Sequence, residues 1–228
     1  MKIERLVCFD IETTSFDYLE GHRIIEIGAV EILNDEITEN SFHSFVNPEG
    51  KEIPDSSYQV HKISNKFLED KPLFKDVAPN FLKFVGDSKI IAHNGKYFDF
   101  PFINHELKNV NLPIIEKEQQ IDSLILAKEK LYETKYSLDA LAKWFNISLE
   151  SRSYAHGALI DSEILAKVFL ELKKIKPLKT VDEYREEQHN ALLNIPKGTY
   201  NFPERHFYAS DEELEQHNTF MQKILDNH

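Results

Sequence analysis

Apolar residues recur along this chain at two spacings, and the order of the two predicts the architecture. Ile3 and the run Leu6-Val7-Cys8-Phe9 read as a strand buried on both faces, continuing through Asp10-Ile11-Glu12-Thr13-Thr14. Arg23 to Leu33 reads as a long β-branched strand, and the turn signal Asn34-Asp35 ends it. Ser41 to Val46 alternates and pairs back as a hairpin, stopped by Asn47-Pro48. Pro54 to Glu69 reads as loop and short helix. Phe74, Val77, Ala78, Phe81, Leu82 and Val85 then keep helical spacing up to Gly86. A short strand at Ile90 to His93 is followed by a helix from about Phe98 to Lys108 and a strand at Gln120 to Asp122. Helical segments follow at 123–131 and 137–145, and the most regular one is Ala158 to Lys174. Strands first, then strands alternating with helices, predict an α/β domain with a mixed central sheet flanked by helices.

The composition shifts at Lys176-Pro177. From there to His228 the chain is charged and poor in strand signals, broken by Pro196, Gly198 and Pro203. Residues 1–175 are thus expected to form one domain, and 176–228 an extended tail with short helical segments near 181–193 and 211–225. The net charge, 27 − 39 = −12, excludes a basic field of the kind that coats duplex nucleic acid. It leaves room for an enzyme that meets a phosphodiester through bound cations. The one cysteine, Cys8, lies inside the first strand, so a disulfide framework is excluded. No apolar run approaches the roughly 18 residues that cross a bilayer, and Met1-Lys2-Ile3-Glu4 is unlike a secretory leader, so a cytoplasmic protein without membrane contact is expected.

The candidate chemistry comes from carboxylates placed where a core should be. Side chains alternate along a strand, so Asp10 and Glu12 share one face, roughly 6–7 Å apart. At 100° per residue, Asp161 points in the direction of Leu165, Val168 and Leu172, while Ser162, Glu163, Lys167 and Lys173 fall opposite. Asp99 likewise lies on the arc of Phe98, Phe102, Ile103 and Leu107. Buried carboxylates are costly unless paired. Singly, Asp10 and Glu12 could be a strand-end pair facing water, and an inward acid such as Asp161 could pair with an arginine or cap a neighbour; a shared cluster of hard divalent cations explains all four from separate parts of the chain. His156 stands five residues before Asp161, on the loop entering the helix, and a neutral imidazole there suits the base that activates a water. Two cations with a positioned base form the layout for in-line hydrolysis of a phosphodiester. The residues by themselves carry the reading that far.

Three segments, Phe9-Asp10-Ile11-Glu12-Thr13-Thr14, His93-Asn94 with Phe98-Asp99, and His156-Gly157-Ala158-Leu159-Ile160-Asp161, together resemble the DnaQ-like exonucleases, in the branch with four acids and a histidine. The run Gly21 to Glu31, Asp122-Ser123-Leu124 and Ser137 to Leu141 are similar to the proofreading members that serve bacterial replicative polymerases. The resemblance covers about residues 3–174. It implies a ribonuclease H-like, mixed five-stranded sheet and a 3′→5′ exodeoxyribonuclease releasing nucleoside 5′-monophosphates. It also implies two Mg²⁺ or Mn²⁺ ions on Asp10, Glu12, Asp99 and Asp161, with His156 as general base. By the same resemblance Thr13, His61 and Asn94 approach the 3′ end of single-stranded or frayed DNA; a surface role for His61 is the competing reading. Phe16, Tyr18 and Tyr97 are candidates to stack on bases, or ordinary packing residues.

The tail segment Phe207 to Leu214 with His217 is similar to a segment that docks on the polymerase catalytic (alpha) subunit. Two departures stand out. The run His93 to Asp99 carries one residue more than the usual proofreading pattern, in the manner of the mammalian three-prime repair exonucleases. Where a Gln-led sliding-clamp motif often follows the catalytic domain, the chain has Lys176-Pro177-Leu178-Lys179-Thr180, which leaves clamp binding open. A stand-alone repair or RNA-trimming exonuclease, and a silent nucleic-acid-binding scaffold, are the alternatives.

Overall fold

A computed structural model describes residues 4–152 and 156–178. The chain divides into two units, Met1–Leu178 and Lys179–His228. The predicted helical tail segments and the proposed polymerase-docking stretch lie outside the described residues.

The first unit is built on a five-stranded sheet in the order β3-β2-β1-β4-β5. Its strands are β1 (Arg5–Thr13), β2 (Ile24–Leu33), β3 (Glu36–Phe45), β4 (Lys89–Ala92) and β5 (Gln120–Asp122). The first three pair antiparallel, and β4 and β5 join parallel to β1, giving the mixed sheet that the alternation predicts. The β2–β3 hairpin turns through Asn34 and Asp35, both with positive φ (51° and 67°). Asn and Asp tolerate that region, and consecutive positive φ values match the right-handed twist of the strands. β3 begins at Glu36, five residues earlier than its alternation suggests, because so tight a turn lets pairing start at once.

Strand alternation sorts β1 onto two cores. Val7, Phe9 and Ile11 face a cluster with the helices α3 (Phe74–Val85) and α4 (Asp99–Asn109). Leu6 and Cys8 face the cluster formed with α5 (Ser123–Lys130), α6 (Leu138–Trp144) and α7 (Ala158–Lys174). Asp10 and Glu12 continue the second set, so they emerge on the α7 side at the C-terminal end of the strand. β2 is buried along nearly its whole length, covered on both faces. Two short helices, α1 (Asp55–His61) and α2 (Asn65–Leu68), fill the connection between β3 and α3. Among the described residues, no helix is long and apolar enough to cross a membrane.

Helix and sheet approach closely at Gly28. A Cβ on this residue would lie 2.2 Å from the Ala158 carbonyl carbon and from the Leu159 nitrogen. Only glycine lets the first turn of α7 rest on β2. The same contact corrects one expectation about α7. Ser162, placed on the outer side by helical periodicity, is fully buried and donates its hydroxyl to the carbonyls of Gly28 (2.9 Å) and Ala158 (2.7 Å). Close packing widens the covered arc beyond the apolar stripe.

Candidate active site

The site forms at the C-terminal ends of the parallel strands β1 and β4, the position where open α/β sheets expose their loops. β1 delivers Asp10 and Glu12, with a register irregularity between Glu12 and Thr13 that ends regular pairing beside them. The loop after β4 delivers Asp99 as the first residue of α4, and Gly28 lets α7 bring Asp161 down from the other side. Asp99 and Asp161 are only 2% and 3% exposed. A cavity of about 360 Å³ is lined by Asp10, Glu12, Thr13, His61, His156 and Asp161, among others.

The β4–α4 loop is pinned by Asp122, whose carboxylate accepts the backbone N–H groups of Asn94 (3.1 Å), Lys96 (2.9 Å) and Leu124 (2.9 Å). Asn94 takes a left-handed turn (φ 61°) there and does not line the cavity. Its neighbour His93 does line it, held by Ser123 Oγ (2.9 Å) and the Tyr136 carbonyl (2.8 Å).

The acids are mutually destabilising as ionised groups. Burial, and then the charges of Asp99, Glu12 and Asp161, push the Asp10 carboxyl well above its usual range. Burial pushes Glu12 up to about 8, helped by Asp161 and by Glu26. Burial raises Asp99 to about 8 against the pull of backbone N–H groups of Ile11 and of Asp99 itself. Glu26 faces Glu12 across the β1–β2 ladder and is buried, with His43 Nε2 2.6 Å from its Oε1. Its Oε2 is buried without a hydrogen-bond partner.

The residues fit a divalent cation. Oδ1 of Asp99 is buried with no hydrogen-bond partner, as an oxygen awaiting a ligand is. Glu12, His156 and Asp161 each present a ligand atom, all within 4.8 Å of one another. Carboxylate-rich sets of this kind select hard divalent ions.

His156 is partly exposed, its Nδ1 3.4 Å from Asp161 Oδ2. Its backbone N–H reaches the Val60 carbonyl (3.3 Å), which ties the loop to α1. Gly157 caps α7 with an ordinary extended φ of −151°, so the loop needs no glycine freedom at that point. Arg152, which sequence patterning gave no reason to single out, reaches into the same corner. Its Nη2 donates to Asp161 Oδ2 (2.8 Å) and to His156 Nδ1, and its Nη1 bonds Asp139. Its Nε is 2.7 Å from Asp161 Oδ1, without hydrogen-bond alignment.

His61 is 4% exposed, so the surface reading is set aside. Its Nδ1 accepts the Ile63 N–H (3.0 Å), which places the proton of the neutral ring on Nε2, a buried donor without a partner. Burial depresses its pKa and keeps it neutral. Thr13 is buried at the rim, its hydroxyl bonded to the Ser15 carbonyl. Phe16 is 81% exposed at the cavity mouth, its ring 6.0 Å from that of Phe98. Tyr97 is also exposed, whereas Tyr18 packs on Phe102 and His105 as an ordinary core-edge ring.

The exonuclease family model matches residues 7–169. The DNA polymerase III subunit epsilon of Rickettsia felis is 39% identical over 226 residues, covering 97% of this chain and 97% of that protein. The epsilon subunit of Salmonella typhimurium is 34% identical over 226 residues, 94% of this chain and 91% of that one. Among solved structures, exonuclease X in complex with 5′ overhanging duplex DNA matches at 25% identity and a TM-score of 0.56, over 73% of this chain and 90% of its own. The nuclease domain of 3′hExo, a DEDDh family member bound to rAMP, matches at 16% identity and a TM-score of 0.63, over 78% and 98%, a likeness of fold.

Proposed function

The chain belongs to the exonuclease family, together with the DNA polymerase III epsilon subunits, and from that premise we propose a metal-dependent 3′→5′ exodeoxyribonuclease that proofreads for a replicative polymerase. One observation carries the reading: Asp10, Glu12, His156 and Asp161, drawn from β1, α7 and the loop before it, line one cavity, and Asp99, which does not line it, lies near enough to raise the Asp10 carboxyl.

In this reading Asp10, Glu12, Asp99 and Asp161 would hold two divalent cations, Mg²⁺ or Mn²⁺, which would supply Lewis acidity at the scissile phosphate and at the attacking water. His156 takes the proton of the attacking water, which requires the neutral imidazole. His61 offers its Nε2–H to an oxygen of the terminal nucleotide, and Thr13 lines the same pocket. Phe16 gives a face on which a base can stack, in keeping with an acidic chain that draws affinity from a short site rather than a basic field. Asn94 contributes through the backbone of its turn. A single-stranded or frayed end is the natural substrate, because a paired terminus must unstack to enter.

Incubation with a 3′-labelled oligonucleotide and Mg²⁺ or Mn²⁺ tests the enzyme: stepwise release of mononucleotides supports it, and none under either metal overturns it. Polymerase association through residues 176–228 is a further part of the proposal, resting on relatives aligned over 97% of the chain. Truncation after Lys176 is expected to spare activity on short oligonucleotides and to end co-purification with the polymerase alpha subunit. Retained co-purification would relocate the docking segment. The setting proposed is the cytoplasm.

A further inference from the structure

Arg152 is the residue in this corner that the hydrolytic reading leaves without a task. Its side chain is only 10% exposed, and it touches three partners at once. It covers Asp161 with two nitrogens, Nη2 on Oδ2 at 2.8 Å and Nε 2.7 Å from Oδ1. The same Nη2 donates to Nδ1 of His156, and Nη1 reaches Asp139 on α6, a residue 45% exposed.

A guanidinium carries donors only. The lone pair of His156 Nδ1 is therefore committed to Arg152, and the proton of the neutral ring sits on Nε2. While that contact lasts, neither ring nitrogen can receive a proton from water. Both oxygens of Asp161 are covered as well, and those are the atoms a cation would take. One side chain thus blocks a metal ligand and the base together.

We infer that Arg152 competes with a cation for Asp161, and that it must leave Asp161 and His156, keeping its bond to Asp139, before the site can load and act. The inference rests on the proposed metal site. Its logic is charge balance. Asp161 is 3% exposed, a buried carboxylate is costly without a partner, and the guanidinium supplies one. An arriving dication satisfies the acids better and repels the guanidinium. Asp139, on the first turn of α6, gives the displaced side chain an ion pair near solvent. Loading and freeing of the base are then a single event, which keeps a metal-free enzyme from holding an unmasked base beside DNA.

Removing Arg152 should therefore help the metal. The loaded arrangement competes with the Arg152-bound one, so apparent affinity is reduced by the fraction of chains in which the side chain has left. If that fraction is about one tenth or less, release tightens binding at least about tenfold. The test uses the full chain stripped of metal, titrated with Mn²⁺ in a calorimeter, as wild type and as Arg152→Gln. A second readout, independent of turnover, is the ¹⁵N spectrum of His156 without metal. The wild type should show Nδ1 as an acceptor with the proton on Nε2, and Arg152→Gln should lose that fixed tautomer. Arg152→Lys, which keeps the charge but lacks the fork, covers the case in which the Gln variant does not fold; it should tighten binding by a smaller factor. Equal or weaker Mn²⁺ binding in the variants, with the wild type binding normally, overturns the competition inference alone. Absence of Mn²⁺ binding in every form overturns the metal site, and the inference with it.

Discussion

Gly28 and Asp10 are partners in the β1–β2 ladder, and the first turn of α7 sits directly on Gly28. Gly28→Ala therefore tests whether catalysis depends on how closely that helix approaches the sheet. The new methyl would meet backbone atoms of Ala158 and Leu159 at 2.2 Å, with the Ala158 oxygen at 2.4 Å. Carbon contacts settle at about 3.5–4.0 Å, so the helix start must retreat by roughly 1 Å or more. No flexible side chain can absorb the clash, because the atoms struck are main chain. His156 lies two residues before the contact and Asp161 three after it, so both move with the helix. Overpacking of this kind costs about 1–3 kcal/mol. For a domain of this size that is a fall in Tm of about 2–12 °C. The displacement matters more for turnover, since misplacing a catalytic group by about 1 Å costs on the order of 100-fold. The assay is release of mononucleotides from a 3′-labelled oligonucleotide at a temperature where the variant is fully folded by circular dichroism. A kcat/KM within about threefold of wild type would refute the claim that the Gly28 contact sets the site geometry.

Three further predictions follow from the same geometry. Asp161→Ala should abolish turnover while Tm shifts by only a few degrees, since the removed carboxylate repels its neighbours and Arg152 keeps its bond to Asp139; a chain that unfolds on this change assigns Asp161 a structural role. Without metal, the folded chain holds protons on Glu12 and Asp99 up to about pH 8, whereas the unfolded chain releases them at ordinary carboxylate values. The folded state then binds more protons across that window, so these groups make stability fall as pH rises from about 4.5 to 8, and Mn²⁺ should oppose the fall. Melting curves of wild type against Asp99→Asn in EDTA isolate the contribution, and identical pH slopes would count against it. Arg23→Ala strands Glu106, which is 1% exposed and bonded to Arg23 Nε at 2.7 Å, on the helix that carries Asp99. Losing one partner of such a pair costs about 3–5 kcal/mol; calorimetry showing a Tm within about 2 °C of wild type would contradict this.

The sheet and most helices are legible in the sequence because burial imposes a period that the residues must follow. α3 runs from Phe74 to Val85 and α7 from Ala158 to Lys174, as the apolar spacing predicts. The inward acids are legible for the same reason turned round, since a carboxylate at an apolar phase is an exception that the pattern exposes. Asp161 is visible that way, and so is Asp99.

Other site residues are hidden because what fixes them is not periodic. Ser162 is buried by a glycine 134 residues away, a contact that no helical wheel contains. His61 is a loop-end histidine in sequence; its tautomer is set by the Ile63 N–H, a bond that exists only once α1 has closed. Asp122 could have been suspected, since an acid just before a helix is an N-cap candidate, but its hold on the Asn94 loop depends on β5 lying beside β4. Arg152 sits in a polar stretch with no apolar phase to violate, so its charge reads as ordinary surface. A periodic pattern reports departures from the core, and can find acids that a core should reject. It cannot report the cation that arrives from a loop to balance them. The missing positive charge is nonetheless implied: a carboxylate at a buried phase, such as Asp161, demands a partner, and the folded chain supplies Arg152.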